Sequence, residues 1–283
     1  MAIITISRGC FSHGEEIAEK VAAMLGYECI SREVLIEAAK LFNVSEKKLI
    51  KSLHNAPSIL ERIASGKEEY LADIKAALIG YAKNGNIVYH GHAGHLLLSE
   101  IPQVLKVRIL AEKEDRIAFL QQKQNVSREQ AMLDIKTEDK NRSNWTRYLY
   151  KIDINDPKLY DIIINIGNLT IDNACEIICL AAKSDAYLMT EESKQSLEDA
   201  AITSHIIAAL QSICDARVSV NNGEVHVKVA AQKRRKTGLM SPALRDKLGA
   251  SYQHDLTEQI NKIAYGLPGV KKVFCIVDPP YYV

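Results

Sequence analysis

Residues 4–26 read ITISRGCFSHGEEIAEKVAAMLG and join a short apolar run to a turn with two glycines and then to an amphipathic segment. In that last segment, apolar residues recur at the three- and four-residue spacing of a helix. A strand, a glycine-containing turn and a helix in this order often bind phosphate, because free N–H groups at the start of the helix face the anion. The stretch therefore predicts an α/β fold with an anion-binding turn and a helix that begins near Glu15.

This turn lacks the lysine that a nucleotide-binding loop usually has after its last glycine. Gly14 is followed by Glu15 and Glu16, where Lys and Ser or Thr are typical. Acids at the start of a helix interact favourably with the helix dipole, which explains them without any ligand. They would also compete with phosphate for the same site. Arg8 is the nearest cation that could replace the lysine.

Length and composition describe an ordinary globular protein. The 283 residues suffice for two domains, and 25% charged and 47% hydrophobic residues are typical proportions. The net charge of +1 indicates no general affinity for nucleic acid or for an anionic membrane. No apolar run is as long as a membrane span, and the start MAIITISRG lacks the features of a signal peptide. We therefore expect a cytoplasmic protein without a transmembrane segment.

The six cysteines do not form a metal or disulfide pattern. Cys175 and Cys179 are four residues apart on a predicted helix, and no second close pair completes a zinc site. Reduced, buried thiols are the simpler interpretation.

Strand-like and helix-like segments alternate through residues 1–183. The predicted strands are almost continuously apolar and read ITIS, GNIVYHGH, QVLKVRILA and YDIIINIG. Such strands, separated by helical segments, indicate a buried parallel sheet in a three-layer α/β domain.

The pattern changes after a polar segment, residues 184–200, which we predict to be a linker with some helix. Residues 201–283 then predict an α-β-β-α-β unit, in which two alternating strands flank Asn222-Gly223, a strong hairpin signal. This unit has eleven Lys and Arg against six Asp and Glu, whereas residues 1–200 have 25 against 29. A basic second domain thus follows an acidic first domain, and we expect each to fold alone.

The first domain resembles the cytidylate-kinase-like family, a branch of the nucleoside monophosphate kinases with the P-loop fold. The resemblance extends in the family's order from residue 1 to about 182. It rests on the opening turn, on Ser31-Arg32-Glu33-Val34-Leu35, and on the runs NIVYHGHAGHLLL, VLKVRILAEKEDRI, SREQAMLDIKTEDKNRSNW and DPKLYDIIINIGNL. It implies a phosphotransferase with a helical lid, with ATP as the donor, CMP or a similar acceptor, and Mg²⁺.

The resemblance also implies which residues form the site. The family's lid carries an Asp-x-x-Arg, which Asp139 and Arg142 match, and an arginine at the start of the lid-bearing helix, which Arg116 matches. Lid arginines stabilise the charge of the phosphoryl group in transfer. Substrate contacts are implied for Arg32 and for His92, which stands where the family has a Gly-Arg arginine. The implied phosphate-loop residues are Ser7, Arg8, Gly9, Ser12, His13, Gly14 and Glu15.

Three alternatives stay open at this stage. Asp139 and Arg142 could be a surface ion pair at i and i+3. His90, His92 and His95 are close enough in sequence for a metal site, but no acid or thiol lies near them, so we prefer substrate contact. The degenerate loop also allows a catalytically silent nucleotide sensor, or an adaptor that keeps the fold for protein contacts. Glu15 favours the sensor, whereas Asp139 and Arg142 favour the enzyme.

The second domain resembles a BON domain, through the hairpin at Asn222-Gly223 and the ending Leu267-Pro268-Gly269-Val270-Lys271-Lys272-Val273. This resemblance implies a regulatory or docking role. The loop that begins Lys233-Arg234-Arg235-Lys236 is either a solvated loop or a surface for an anionic partner such as nucleic acid or a membrane. A homo-oligomer is possible, and the sequence does not decide it.

Overall fold

The computed structural model of the chain describes residues 2–31, 34, 37, 67–91, 93–234 and 241–282. Two predicted substrate-binding residues, Arg32 and His92, lie outside these ranges. The same holds for Arg235 and Lys236 of the basic loop.

A five-stranded parallel sheet forms the first domain and confirms the predicted fold class. The strands are in the order β2-β3-β1-β4-β5, so β1 lies at the centre. Their bounds are β1 (Ile3–Arg8), β2 (Glu28–Ile30), β3 (Ile87–Tyr89), β4 (Val104–Ala111) and β5 (Ile162–Ile166). The strand pattern did not predict β2, because it has only three residues and Glu28 is exposed.

Helices cover both faces of this sheet. Alternate residues of β1 face opposite layers: Ile4 and Ile6 pack against α1 and α6, whereas Ile3 packs against α2. The domain therefore has the predicted three layers. The helices of this domain are α1 (Gly14–Leu25), α2 (Lys67–Ala82), α3 (Gly94–Leu97), α4 (Lys113–Gln124), α5 (Arg128–Tyr150) and α6 (Ile171–Ala182). None of the described helices is long and apolar enough to cross a membrane.

The parallel arrangement brings the ends of β1, β3 and β4 to one edge of the sheet. Arg8 at the end of β1 is in register with Ile109 of β4, and the Gly9 N–H donates to the Ile109 carbonyl at 3.1 Å. The turn between β1 and α1 therefore lies at the edge where open α/β sheets bind their ligands.

The predicted linker, residues 184–200, contains a short 3-10 turn, Asp185–Tyr187, and the first half of α7 (Glu191–Leu210). Leu197 of α7 is buried in the core of the first domain, and Ile206 is buried in the core of the second. The helix is thus common to both cores, and the predicted boundary at residue 200 lies inside it. The proposed domain limits stay a prediction.

The second domain has the predicted α-β-β-α-β order. Its three-stranded sheet joins β6 (Ala216–Asn221) antiparallel to β7 (Glu224–Val229) and β7 parallel to β9 (Lys272–Val277). A separate pair of two-residue strands, β8 (Lys233–Arg234) and β10 (Tyr281–Tyr282), is parallel.

The second helix of this domain, α8 (Pro242–Tyr265), is longer than the sequence pattern indicates. The apolar periodicity predicts a start near Leu256, after a long basic insertion. The helix instead begins at Pro242, where Ser241 accepts a hydrogen bond from the Leu244 N–H at 3.3 Å. A serine cap followed by proline is a common helix start, and it was present in the sequence.

Asp199 of α7 holds the hairpin turn between β6 and β7. Its carboxylate is 8% exposed and accepts the N–H of Asn222 at 2.7 Å and that of Gly223 at 3.0 Å. Both turn residues have positive φ, 50° and 79°, as the tight Asn-Gly hairpin turn requires. One carboxylate therefore satisfies two N–H groups of the turn and ties the hairpin to the helix.

We predict that Asp199→Ala lowers the free energy of unfolding by about 2 kcal/mol or more, because it leaves two turn N–H groups without their acceptor. Urea unfolding followed by circular dichroism measures this. Glu198→Ala is the matched control, since the adjacent Glu198 is exposed, and its effect should stay within about 0.5 kcal/mol. Equal losses in the two variants would contradict the role of Asp199.

Candidate functional site

The turn between β1 and α1 is held in a conformation that only particular residues permit. Phe11 and His13 have φ values of 57° and 59°, in the left-handed region. A Cβ on Gly14 would lie 2.7 Å from the Cβ and 2.8 Å from the Cδ of Arg8. Glycine is therefore required at position 14, because the Arg8 side chain lies directly against the start of the helix.

Among the described residues, none accepts a hydrogen bond from the first N–H groups of α1. His13 is the N-cap residue, and its side chain makes no capping hydrogen bond. Ile17 is the first residue whose N–H donates to a carbonyl of the turn, that of His13 at 3.0 Å. The N–H groups before it thus border an open pocket of about 670 Å³. Free N–H groups and the positive end of the helix dipole are features that favour an anion.

Three cationic side chains from three elements line this pocket: Arg8 of β1, Lys123 of α4 and Arg142 of α5. Lys123 was not among the residues predicted from the sequence. Arg116, Phe119 and Lys123 recur at helical spacing, and this pattern could have placed Lys123 beside Arg116. The Phe119 ring lies 4.3 Å from the His13 ring, between centroids, and 5.7 Å from Lys123 Nζ.

Arg8 lies in surroundings that are unfavourable for a cation. Burial lowers its pKa first, and the nearby charge of Arg142 lowers it further, although Glu15 opposes the shift. Its Nη1 lies 3.1 Å from His90 Nδ1, which is a neutral acceptor when its proton is on Nε2. An arginine keeps its charge at any physiological pH, so an anion near Arg8 and Arg142 would be stabilised by both.

Both glutamates of the turn line the pocket, and each carboxylate lies near a basic side chain. The Glu15 carboxylate is half exposed and lies 3.9 Å from Lys123 Nζ. Glu16 lies 3.3 Å from His13 Nδ1 and 3.7 Å from Lys20 Nζ. The Glu15 carboxylate therefore lies beside one of the cations that line the pocket.

The two predicted serine hydroxyls face the protein interior. Ser12 is fully buried, and its Oγ donates toward the carbonyls of Gly9 at 2.8 Å and Ile109 at 3.2 Å. Ser7 Oγ lies 3.5 Å from Tyr160 Oη. These hydroxyls therefore stabilise the shape of the turn and the strand that precedes it.

Asp139 and Arg116 clamp the backbone of Cys10 from two helices. Asp139 accepts from Arg116 Nη2 at 2.6 Å and from the Cys10 N–H at 3.3 Å, while Arg116 Nε donates to the Cys10 carbonyl at 2.8 Å. Burial, followed by the interaction with Asp139, raises the pKa of the Cys10 thiol to about 12. The thiol is therefore protonated and unreactive, and the clamp joins α5 to the turn.

Arg142 lies one helical turn further along α5 and reaches the same loop. Its Nε donates to Glu138 at 3.0 Å, and its Nη1 donates to the Arg8 carbonyl at 3.2 Å. Asp139 pairs with Arg116, so the i, i+3 surface pair of Asp139 and Arg142 considered above is not the arrangement found. The structure brings Asp139, Arg142 and Arg116 together around the turn.

A buried polar cluster that the sequence did not predict lies behind Ser7. Tyr160 Oη donates to the Ile154 carbonyl at 2.9 Å, accepts from Arg108 Nη1 at 2.8 Å and lies 3.3 Å from His95 Nε2. His95 Nδ1 is buried, and nothing in the described ranges hydrogen-bonds to it. Burial first, and then the charge of Arg108, lower the pKa of His95 to about 3. His95 is therefore neutral and structural.

The three neighbouring histidines do not share one environment. His90 contacts Arg8, His95 belongs to the buried cluster, and His92 lies outside the described residues. Within the described ranges, no three His, Cys, Asp or Glu side chains are close enough together to hold a metal ion.

Comparisons with known proteins concern mainly the first domain. The model described as the cytidylate kinase-like family matches residues 3–168. A protein named cytidylate kinase from Methanothrix thermoacetophila is 29% identical over 167 residues, which are 58% of this chain and 88% of that protein. Another of that name, from Methanosarcina barkeri, is 32% identical over 132 residues, 40% of this chain and 72% of that protein.

One solved structure agrees with the fold. The crystal structure of an uncharacterized protein from Eubacterium ventriosum has a TM-score of 0.51 and 23% identity, and the match covers 64% of this chain and 97% of that one. At this identity the likeness concerns the fold alone. The family match ends at residue 168, so the BON-like character of the second domain stays a prediction.

We predict that His95 makes the fold sensitive to acid. Unfolded His95 binds a proton below its ordinary pKa of 6.5, whereas folded His95 does so only near pH 3. The unfolded state therefore holds more protons between these values, and stability falls as the pH drops from about 6.5 toward 3. His95→Gln should remove up to about 1.4 kcal/mol of this loss per pH unit.

Urea unfolding of both proteins between about pH 7 and pH 4 tests this prediction. The exposed His254 supplies the control substitution His254→Gln, which should leave the pH dependence as in the native chain. If the free energy of unfolding fell equally with pH in the native chain and in His95→Gln, His95 would not be the cause of the acid sensitivity.

Proposed function

The chain belongs to the cytidylate kinase-like family, and we propose that it is a nucleotide-binding phosphotransferase that transfers the γ-phosphoryl group of ATP to CMP or a related acceptor. One observation supports this proposal independently of the family match. The turn after β1 opens on a pocket bordered by the free start of α1 and lined by Arg8, Lys123 and Arg142. Backbone N–H groups and several cations converging on one pocket are what a triphosphate requires.

In this proposal, side chains from other elements replace the missing lysine. Arg8 and Arg142 would hold the phosphates from the β1 and lid sides, and Lys123 would hold them from α4. The left-handed backbone at His13 and the absence of a Cβ at Gly14 support the anion contact by the helix start. Glu15 would pair with Lys123, as it does in the structure, so its charge is partly compensated.

The residues of the pocket also fit Mg²⁺, which prefers carboxylate and water oxygens in an octahedral arrangement. Glu15, Glu16 and Glu138 line the pocket, but no three carboxylates of the described residues are close enough together to form a metal site by themselves. One of these carboxylates would therefore contact, through water, an ion that the nucleotide phosphates hold. Ser12 would not, because its hydroxyl is enclosed. Mg²⁺, when bound, supplies charge neutralisation on the phosphoryl group.

Arg142 is the residue that we propose for charge stabilisation during transfer. An ionised phosphate oxygen of the acceptor forms the new P–O bond, and the bond from the γ-phosphorus to the ADP oxygen breaks, so no general base is needed. Arg142 is anchored through the Arg8 carbonyl and Glu138 at the mouth of the turn. Asp139 and Arg116 act as positioning residues, since they hold the turn against the lid helix. Arg32 and His92 are proposed to contact the acceptor.

A catalytically silent nucleotide sensor is the second candidate function. The absent lysine and the enclosed Ser12 hydroxyl favour it, because both remove groups that usually act on the phosphates and on Mg²⁺. A sensor would bind nucleotide in the same pocket and release no product.

For the second domain we propose a regulatory or docking role in the cytoplasm. Its excess of Lys and Arg supports an anionic partner at the loop that begins at Lys233. Replacing Lys233, Arg234, Arg235 and Lys236 with Gln would then weaken such binding without changing nucleotide binding by the first domain. Self-association into a homo-oligomer is a further proposal that sedimentation measurements would decide.

The full chain, titrated calorimetrically with ATP-Mg²⁺ and then with a panel of nucleoside monophosphates, tests the proposed function. We expect saturable binding of ATP-Mg²⁺ and of at least one monophosphate, and ADP release when both are present. Binding without ADP release would establish the sensor. No binding of either nucleotide would overturn both candidates.

We predict that Arg142→Ala lowers kcat by about a hundredfold or more with the fold intact, as loss of other charge-stabilising groups does. Steady-state ADP release measures this, and circular dichroism verifies the fold. Arg128→Ala is the control, because Arg128 lies at the exposed start of the same helix and pairs with Glu114; its rate should equal that of the native chain. An unchanged kcat in Arg142→Ala would return Arg142 to a purely structural role.

A further inference from the structure

The three-stranded sheet of the second domain has one covered and one open face. Alternate residues of β6, β7 and β9 pack against α7 and α8, among them Val225, Val227 and Val229. The residues between them form the other face, which is solvent-exposed along all three strands. This outer face consists of Arg217, Ser219, Asn221, Glu224, His226, Lys228, Lys272, Phe274 and Ile276.

The middle of the outer face carries two aromatic rings. The strand register places Ser219, His226 and Phe274 side by side, and we call these residues the ring row. The rings of His226 and Phe274 are stacked, with centroids 4.6 Å apart and planes within 12°. Phe274 is 37% exposed and the neighbouring Ile276 is 62% exposed. Large apolar groups on an open sheet face are costly in water and mark a binding surface.

Cations flank the ring row on both sides. Arg217 and Lys228 lie directly opposite each other on β6 and β7, in the same row as Ile276. Like charges in direct cross-strand register destabilise a sheet, so the fold itself does not explain this pair. On the other side, Lys272 Nζ lies 4.4 Å from the Phe274 centroid. The outer face has one acid, Glu224, in register with Lys272.

We propose that this outer face binds single-stranded nucleic acid. An unstacked base would lie on the face of His226 that Phe274 does not cover, above Ser219, and a phosphate between Arg217 and Lys228 would relieve the repulsion of that pair. Adjacent rows are ~7 Å apart, which is two residues along a strand. Sheet faces with exposed aromatics and flanking cations bind single strands by this combination of stacking and charge.

The composition of the face favours nucleic acid over a protein partner. Lysine is depleted at the cores of protein interfaces, whereas two lysines and an arginine surround these rings. A duplex fits less well than a single strand, because its base faces are already stacked inside the helix. The inference does not depend on the proposed phosphotransferase activity, since no residue of the outer face belongs to the first domain.

Fluorescence anisotropy of the full chain with a labelled oligouridine of about ten nucleotides tests the proposal. Excess ATP and CMP in the titration occupy any nucleotide pocket of the first domain. We expect saturable binding that is weaker for a duplex of equal length and that decreases as salt increases.

Variants of the outer face separate stacking from charge. Phe274→Ala and Phe274→Leu should each weaken binding about tenfold, because both remove the ring. Leucine keeps the apolar surface, so equal losses in the two variants would assign the effect to ring stacking. Arg217→Gln and Lys228→Gln should each reduce the slope of log K against log salt by about 0.7. Lys262→Gln on the exposed side of α8 is the charge control and should change neither quantity.

Four results would overturn the proposal. The first is the absence of oligouridine binding at low salt. Self-association of the chain through Phe274 without oligouridine binding counts as this result. The second is equal or tighter binding of the duplex. The third is binding that Phe274→Ala and Phe274→Leu leave unchanged. The fourth is binding that is lost only when Lys233, Arg234, Arg235 and Lys236 are replaced, which would assign it to the basic loop.

Discussion

The close packing of Arg8 against the backbone of Gly14 is the contact on which the site depends. A Cβ at position 14 would collide with the Arg8 side chain at 2.7 Å, so the end of β1 and the start of α1 approach only because this residue is glycine. The approach leaves the first N–H groups of the helix uncapped. Ser12 then fixes the turn by bonding inward to Gly9 and Ile109. These features of the backbone support the proposed anion contact without a lysine.

The positive charges around this turn belong to residues that are distant from it in the sequence. Arg142 and Lys123 reach the pocket from two helices more than a hundred residues after the turn. A further cation, Arg116, is neutralised by Asp139, whose carboxylate also accepts the Cys10 N–H. The turn and α5 are thereby joined through a charge-assisted hydrogen bond, and the position of Arg142 follows from that junction.

The sequence predicted those features of the fold that depend on local residue patterns. Apolar periodicity predicted the parallel sheet, and Asn222-Gly223 predicted the hairpin. Features that depend on distant partners were missed: β2, which has three residues and pairs at the sheet edge, and the buried cluster in which Arg108 contacts Tyr160 across the domain. For the site, the sequence indicated Arg8, Asp139 and Arg142. Lys123 was missed, although its helical spacing from Arg116 places both on one face of α4.

The way the two domains join also depends on packing between residues that are distant in the sequence. Local polarity indicated a linker, yet Leu197 in that segment is buried in the first core. Further along the same helix, Ile202 and Ile206 are buried in the second core. Gln211 at the end of α7 also donates to Asp73 of the first domain at 3.2 Å. Separating the chain at residue 200 would expose apolar surface on both sides of the cut. The smallest segment that keeps either core whole therefore includes α7.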